Sequence, residues 1–345
     1  MNKGLFSIPV YNQNVSMDTI FDEITEQVIN GERWGINEAF FGEHITDRHE
    51  KITSSLLMVS ALSKLTKKIK LGTLTTNLNF HNPSIAAAMI SMADNLSKGR
   101  LILGIGSGAN MSDIESIGFV EKNNHAITLE IQKIIEEIFL SKDLVNIKSE
   151  NFNVSTEKFG NKDLGLGYFN KLYKERKNLD IIMPALNENS YNVKLCAKNN
   201  WSIMISNFCS ERIIDNHISN YLANSNLEED EAYKKIKLSK LIFVNELRDS
   251  GKELVFSNNS PFIEVVSTIH KKLKKFNKHG CFGKNVETSL EAGKSTILYG
   301  HPDKISSEIQ KKYKKLSSIV YVTVPKTGND KFDRSLEIFS KNVSI

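Results

Sequence analysis

The stretch from Leu71 to Gly108, LGTLTTNLNFHNPSIAAAMISMADNLSKGRLILGIGSG, constrains the fold more than any other part of the chain. Ile69 to Asn77 is apolar and β-branched and predicts a strand. Asn82-Pro83 opens a helix, because proline suits the first helical turn, and Ser84 to Ser97 is rich in Ala and Met. Gly99 stops that helix, since glycine accepts the left-handed conformation found just past helix ends. Leu101 to Ile105 is a second apolar run that ends on Gly104-Ile105-Gly106-Ser107-Gly108. Strand, crossover helix and second strand make a βαβ unit, which implies a parallel sheet. Its polar and glycine residues fall at the strand ends, where α/β folds bind ligands.

The same pattern recurs on both sides. Gly4 to Tyr11 and Asn37 to His44 read as strands, and Thr19 to Asn30 and Ser54 to Leu65 as helices. Further on, Leu179 to Leu186, Trp201 to Phe208, Lys237 to Val244 and Ser317 to Val324 read as strands. Helices are predicted over His125 to Ser141, Tyr191 to Lys198, Glu211 to Ala223 and Pro302 to Lys315. Eight strands alternating with helices predict an α/β chain folded as a (β/α)8 TIM barrel. A doubly wound sheet is the alternative. Two polar, glycine-bearing stretches, 142–177 and 246–293, do not fit the repeat and read as loop insertions, either surface elaboration or lids. With no Pro/Ser linker or low-complexity tract, one barrel domain is expected over 1–345.

Charged residues make up 25% and hydrophobic ones 40%, ordinary for a globular chain, so neither disorder nor a membrane protein is indicated. The net charge of +5 is scattered, apart from His270-Lys271-Lys272 and Lys274-Lys275 on a predicted helix from Ile269 to His279. No aromatics interleave there to stack bases, so a solvated helix face is expected rather than a nucleic-acid site. Cys196, Cys209 and Cys281 form no close pair, which predicts no disulfide framework and no metal site. No run approaches a membrane span or a signal-peptide core, and a cytoplasmic location is expected.

The chemistry concentrates at the strand ends. Glu43-His44 closes the second strand, where a histidine can exchange protons near neutral pH or act as a structural hydrogen-bonder. Thr75, Thr76 and Asn77 close the third, with side chains suited to a ligand's heteroatoms or to capping a loop. Gly106-Ser107-Gly108 closes the fourth and lets a flat ligand approach the backbone. GIGSGA lacks the spacing of a dinucleotide fingerprint, and P-loop, GxSxG and HExxH motifs are absent. Phe40, Phe41 and Phe80 could wall a dry pocket, although core packing explains the first two equally well.

In that order, FFGEHITD, SSLLMVSAL, IKLGTLTTNLNFHNP, LSKGRLILGIGSG and SDIESIG resemble the bacterial luciferase-like, flavin-dependent monooxygenases. The limonene monooxygenase-like and alkanal monooxygenase-like members share the Glu43-His44-Thr46 pattern, the Asn77-Leu78 pair and the pattern from Gly106 to Gly118. The resemblance is strong to about residue 120, and weaker from Leu179 to Asn207 and at Gly300-His301-Pro302.

This resemblance implies a barrel that binds reduced FMN delivered by a separate flavin reductase. Oxygen would add to the flavin C4a, and the hydroperoxide would oxygenate a small apolar or sulfur-containing organic substrate. It makes His44 the active-site histidine and Glu43 its flavin-site neighbour. Thr75, Thr76 and Asn77 would run under the flavin ring, often with a non-proline cis peptide, and Gly106 and Ser107 would flank it. Glu188, Asn189 and Asn192 fall where the family's phosphate and ribityl contacts lie, although the family usually has a serine or threonine there. Luciferases proper carry an arginine at the Ser107 position, so light emission is not expected. Pairing as a homodimer or heterodimer is implied. A deazaflavin-dependent oxidoreductase and a non-catalytic flavin-binding subunit are the alternatives.

Overall fold

A computed structural model describes residues 1–7, 10–247, 251–257, 259–275, 282 and 286–345. Cys281, Ile8 and Pro9 of the predicted first strand, and the end of the predicted basic helix beyond Lys275 lie outside the described residues.

The strands are β1 (Asn2–Ser7), β2 (Glu38–Phe41), β3 (Lys70–Thr73), β4 (Thr76–Asn77), β5 (Leu101–Gly106), β6 (Asn146–Lys148), β7 (Asn153–Ser155), β8 (Asp180–Ala185), β9 (Ser202–Ile205), β10 (Ile236–Val244), β11 (Ile297–Gly300) and β12 (Ser318–Val322). Their hydrogen-bonded order runs β12-β1-β2-β3-β5-β8-β9-β10, and β10 pairs back onto β12. Eight parallel strands therefore close on themselves, and the chain is a (β/α)8 barrel. All eight predicted strands are present.

The flanking helices include α1 (Met17–Arg33), α2 (Ser55–Ser63), α3 (Pro83–Leu96), α4 (Met111–Ser116), α5 (Asn124–Leu140), α6 (Tyr191–Lys198) and α7 (Glu211–Asn224). α3 forms for the reasons its sequence gives. Pro83 sits in its first turn, the Asn82 side chain accepts from Ser84 N, and Gly99 ends it at φ +76°.

The chain divides into two compact units. One comprises Met1–Phe40, Arg48–Glu50 and Ile182–Ile345. Its core includes Leu5, Ile20, Ile24, Phe243, Phe262 and Phe339, all fully buried. Lys237 on β10 reaches Glu38 on β2 at 2.6 Å, an ion pair closed off from solvent. The other unit comprises Phe41–Asp47 and Lys51–Ile181 and holds β3 to β7 and α2 to α5. Its core is aliphatic, with Leu62, Leu71, Ile90, Leu103 and Ile131.

Three expectations change in detail. The third predicted strand is two pieces, β3 and β4, separated by a cis Leu74–Thr75 peptide. The stretch 142–177 contains an antiparallel hairpin, β6–β7. The stretch 246–293 is largely helical, with helices at Gly251–Val255, Pro261–Lys275 and Ser289–Thr296. The basic run ends the middle helix: its apolar face buries Phe262, Val265 and Val266, and Lys272 pairs with Glu50 at 2.7 Å. No helix among the described residues is long and apolar enough to cross a membrane.

Candidate active site

Strand β2 is entirely buried, and the chain leaves it through Gly42-Glu43-His44. Glu43 and His44 then point to different partners, as successive residues of an extended chain do. Glu43 is 7% exposed and spends its whole carboxylate on the protein. Ser55 N and Oγ donate to Oε2 at 2.9 and 2.7 Å, and Asn77 N donates to Oε1 at 2.8 Å. Ser55 is the first residue of α2, so one carboxylate ties the start of α2 to the end of β4. A carboxylate suits a helix N-terminus, where backbone N–H groups lack partners.

His44 faces Asp113 on α4, 3.0 Å from Nδ1 to Oδ2. The other carboxylate oxygen accepts from Thr46 N at 2.8 Å and Thr46 Oγ1 at 2.6 Å. Burial would raise the Asp113 carboxyl, but the hydrogen bonds from His44 and Thr46 outweigh it and hold its pKa below the ordinary carboxylate value. Asp113 is therefore ionised at neutral pH and can only accept. The proton between the two groups sits on His44 Nδ1.

Asn77 builds the next strand end. Its Oδ1 accepts from Thr75 Oγ1 at 3.1 Å and from Gly108 N at 3.0 Å, leaving Nδ2 as the amide's remaining donor. Thr76 Oγ1 lies 3.1 Å from Ser55 Oγ. Gly106 pairs with Asn77 in register, and a Cβ on it would stand 2.1 Å from Thr75 Oγ1 and 2.9 Å from Asn77 Oδ1. Only glycine lets β4 and β5 close here. The Ser107 carbonyl accepts from Asn79 Nδ2 at 3.2 Å.

Glu43, His44, Thr75, Thr76, Asn77, Gly106 and Ser107 thus gather in one unit, linked through Glu43 and Asn77. Phe40 and Phe41 are fully buried. The other three candidate residues lie in the other unit. There Glu188 Oε1 pairs with Arg212 at 2.5 Å, Asn189 sits in the loop between β8 and α6, and Asn192 Nδ2 donates to the Pro184 carbonyl at 2.8 Å. Sequence reasoning missed Asp113, which lies 69 residues from His44. The SDIESIG stretch contains it, but nothing in its spacing names a partner. Ser55 and His81 were missed as well. Burial lowers the His81 pKa, and the negative charge of Glu43 works against that.

The barrel thus carries a histidine–carboxylate pair and a clamped polar segment at its strand ends, where such folds bind ligands. Residues 2–159 match the model of the luciferase-like monooxygenase family. The chain is 30% identical to limonene 1,2-monooxygenase of Rhodococcus erythropolis over 115 residues, 33% of this chain and 30% of that one. Its fold is similar to the oxygenating constituent of 3,6-diketocamphane monooxygenase from Pseudomonas putida, solved in complex with FMN. That match has a TM-score of 0.83 at 19% identity and covers 99% of this chain and 97% of that one. An F420-dependent secondary alcohol dehydrogenase shares the fold at a TM-score of 0.70 and 15% identity, over 99% and 98% of the two chains. The curated relatives are matched over less than two thirds of their own length.

Proposed function

We propose that this protein is a flavin-dependent monooxygenase that uses reduced FMN from a separate reductase, together with O2, to oxygenate a small organic substrate. The observation that carries this reading is the array at the end of β2: His44 held by Asp113, beside a Thr75–Asn77 segment fixed by Glu43. The donor set fits a flavin ring. His44, Thr75, the Asn77 amide and Ser107 are uncharged or switchable hydrogen-bonding groups, suited to ring nitrogens and carbonyls. When bound, the reduced flavin supplies the electrons that activate oxygen.

The chain's own residues have separable tasks. Asp113 fixes the His44 ring and keeps the proton on Nδ1, so that Nε2 transfers a proton to or from the reacting molecule. Thr46 holds Asp113 through two hydrogen bonds. Glu43 positions the backbone of Asn77, and Thr75, Thr76, Asn77, Gly106 and Ser107 form the ring-binding edge. Asn189, with the neighbouring Glu188 and Asn192, is assigned to the phosphate end. Glu188 is paired there with Arg212. Leu57 on α2 and Ile85 and Met92 on α3 are exposed apolar side chains and support self-association of the barrel.

Anaerobic titration with reduced FMN, followed by mixing with oxygen and assay of product, tests this reading. Binding followed by oxygen incorporation into substrate supports it. Tight binding of reduced deazaflavin with no oxygen uptake would replace it with a hydride-transferring oxidoreductase, the reading favoured by the fold shared with the F420-dependent dehydrogenase.

A further inference from the structure

Asn207 stands just past the end of β9, inside a turn closed by Cys209 N donating to the Ser206 carbonyl at 3.0 Å. The turn's backbone is well satisfied. Ser206 N donates to the Ala185 carbonyl at the end of β8, and Phe208 N donates to Ser206 Oγ. The Asn207 side chain is the exception: the residue is 3% exposed, and its Nδ2 is buried with no hydrogen-bond partner among the described residues. Ile205 and Cys209 are fully buried, and Phe208 packs on Phe282 with ring centroids 5.0 Å apart.

A buried amide without a partner is unfavourable in the unliganded protein and is rare in folded chains. Leucine would fill the same space without that penalty. The position, at the carboxyl end of a barrel strand, is where such folds keep ligand-binding groups. A buried donor without a partner recognises a molecule that brings an acceptor oxygen to it. Because the amide is shut away from water, an acceptor reaching it is desolvated, which strengthens the bond.

We propose that Asn207 is a specificity-determining residue that donates from Nδ2 to an acceptor oxygen of the substrate, so that a carbonyl compound is favoured over the hydrocarbon of the same shape. The inference rests on the monooxygenase reading for the word substrate, but the contact itself does not require it.

The test uses the full chain labelled with 15N-asparagine, with the Asn207 amide signal assigned by its loss in Asn207→Asp. Three probes are added separately: FMN, cyclohexanone, and methylenecyclohexane, which has the ketone's shape without its oxygen. Expected is a shift of the Asn207 amide signal with cyclohexanone and none with methylenecyclohexane. Asn207→Asp and Asn207→Leu should each weaken ketone binding by roughly tenfold or more, as loss of a site's polar contact does, with FMN affinity little changed. A shift with FMN alone would assign the acceptor oxygen to the cofactor and overturn the substrate contact. No shift with the ketone, or unchanged ketone affinity in Asn207→Leu, would make the unpaired amide a structural feature and overturn the proposal. The ketone arm is run with and without FMN, so failure of FMN to bind refutes the flavin reading without deciding this one.

Discussion

Glu43→Gln separates a carboxylate that builds the site from one that touches a ligand. In the structure three donors converge on Glu43: Ser55 N, Ser55 Oγ and Asn77 N. Glutamine keeps one acceptor oxygen and turns an NH2 group toward the remaining donors. If the oxygen stays on Ser55, the NH2 faces Asn77 N; if it stays on Asn77, the NH2 faces Ser55 N. Either way one buried backbone N–H loses its partner, a cost of about 1–3 kcal/mol, and the surviving bond loses its charge assistance. The expected destabilisation is about 2–4 kcal/mol, and Glu43→Ala, which strands both backbone donors, should cost more. Denaturant unfolding of the unliganded protein reads this directly. Flavin affinity should fall as well, because Asn77 is no longer held. The reasoning is refuted if Glu43→Gln unfolds like wild type and loses only flavin affinity, for then the carboxylate serves the ligand and not the loop.

His44→Ala should abolish product formation while leaving flavin affinity within about tenfold, measured by oxygenation assay and fluorescence titration. Asp113→Asn should move the His44 proton from Nδ1 to Nε2, visible in the imidazole 15N shifts, and lower turnover by roughly 10²–10⁴-fold. The same variant has a pH signature. The Asp113 pKa lies below its unfolded value near 4, so its contribution to stability is present above about pH 4 and is lost as pH falls through the folded value. Asp113→Asn should therefore flatten part of the acid limb of the unfolding curve. Gly106→Ala would place a methyl 2.1 Å from Thr75 Oγ1 and should destabilise by about 1–3 kcal/mol or more, with loss of flavin binding, checked by thermal unfolding and titration.

The barrel was legible because its signals are local. Pro83 and Gly99 bracket α3 in sequence as they do in space, and each apolar run that reads as a strand is one. Strand edges were less legible. The predicted strand from Ile69 to Asn77 breaks at the cis Leu74–Thr75 peptide, which nothing in the run of apolar and β-branched residues announces. β11 escaped notice because Ile297–Gly300 is short and pairs only beside β10. In the site, Glu43 and His44 stood out as a motif, but their partners did not. Ser55 is an ordinary helix-start serine in the sequence, and Asp113 lies on a helix of six residues. Which donor meets which carboxylate is a property of the closed barrel and has no periodicity to betray it.

Two neighbouring residues illustrate how the site divides its labour. Glu43 and His44 leave the same strand one position apart, so their side chains diverge, and each meets a different anchor. Glu43 is saturated by the protein, which makes it a fixed part of the frame. Asp113 is saturated too, by Thr46 and by one nitrogen of His44, and in the proposed reading proton exchange falls to the second imidazole nitrogen. A proton can therefore move at His44 Nε2 without disturbing the hydrogen bonds that hold Asn77 in place. Coupling both tasks to one carboxylate would force the frame to reorganise at each proton transfer, and preorganised sites gain rate by avoiding that reorganisation. Exchanging the pair, as Glu43→His with His44→Glu, should leave neither function intact, since the helix start would lose its acceptor and Asp113 would face a second carboxylate.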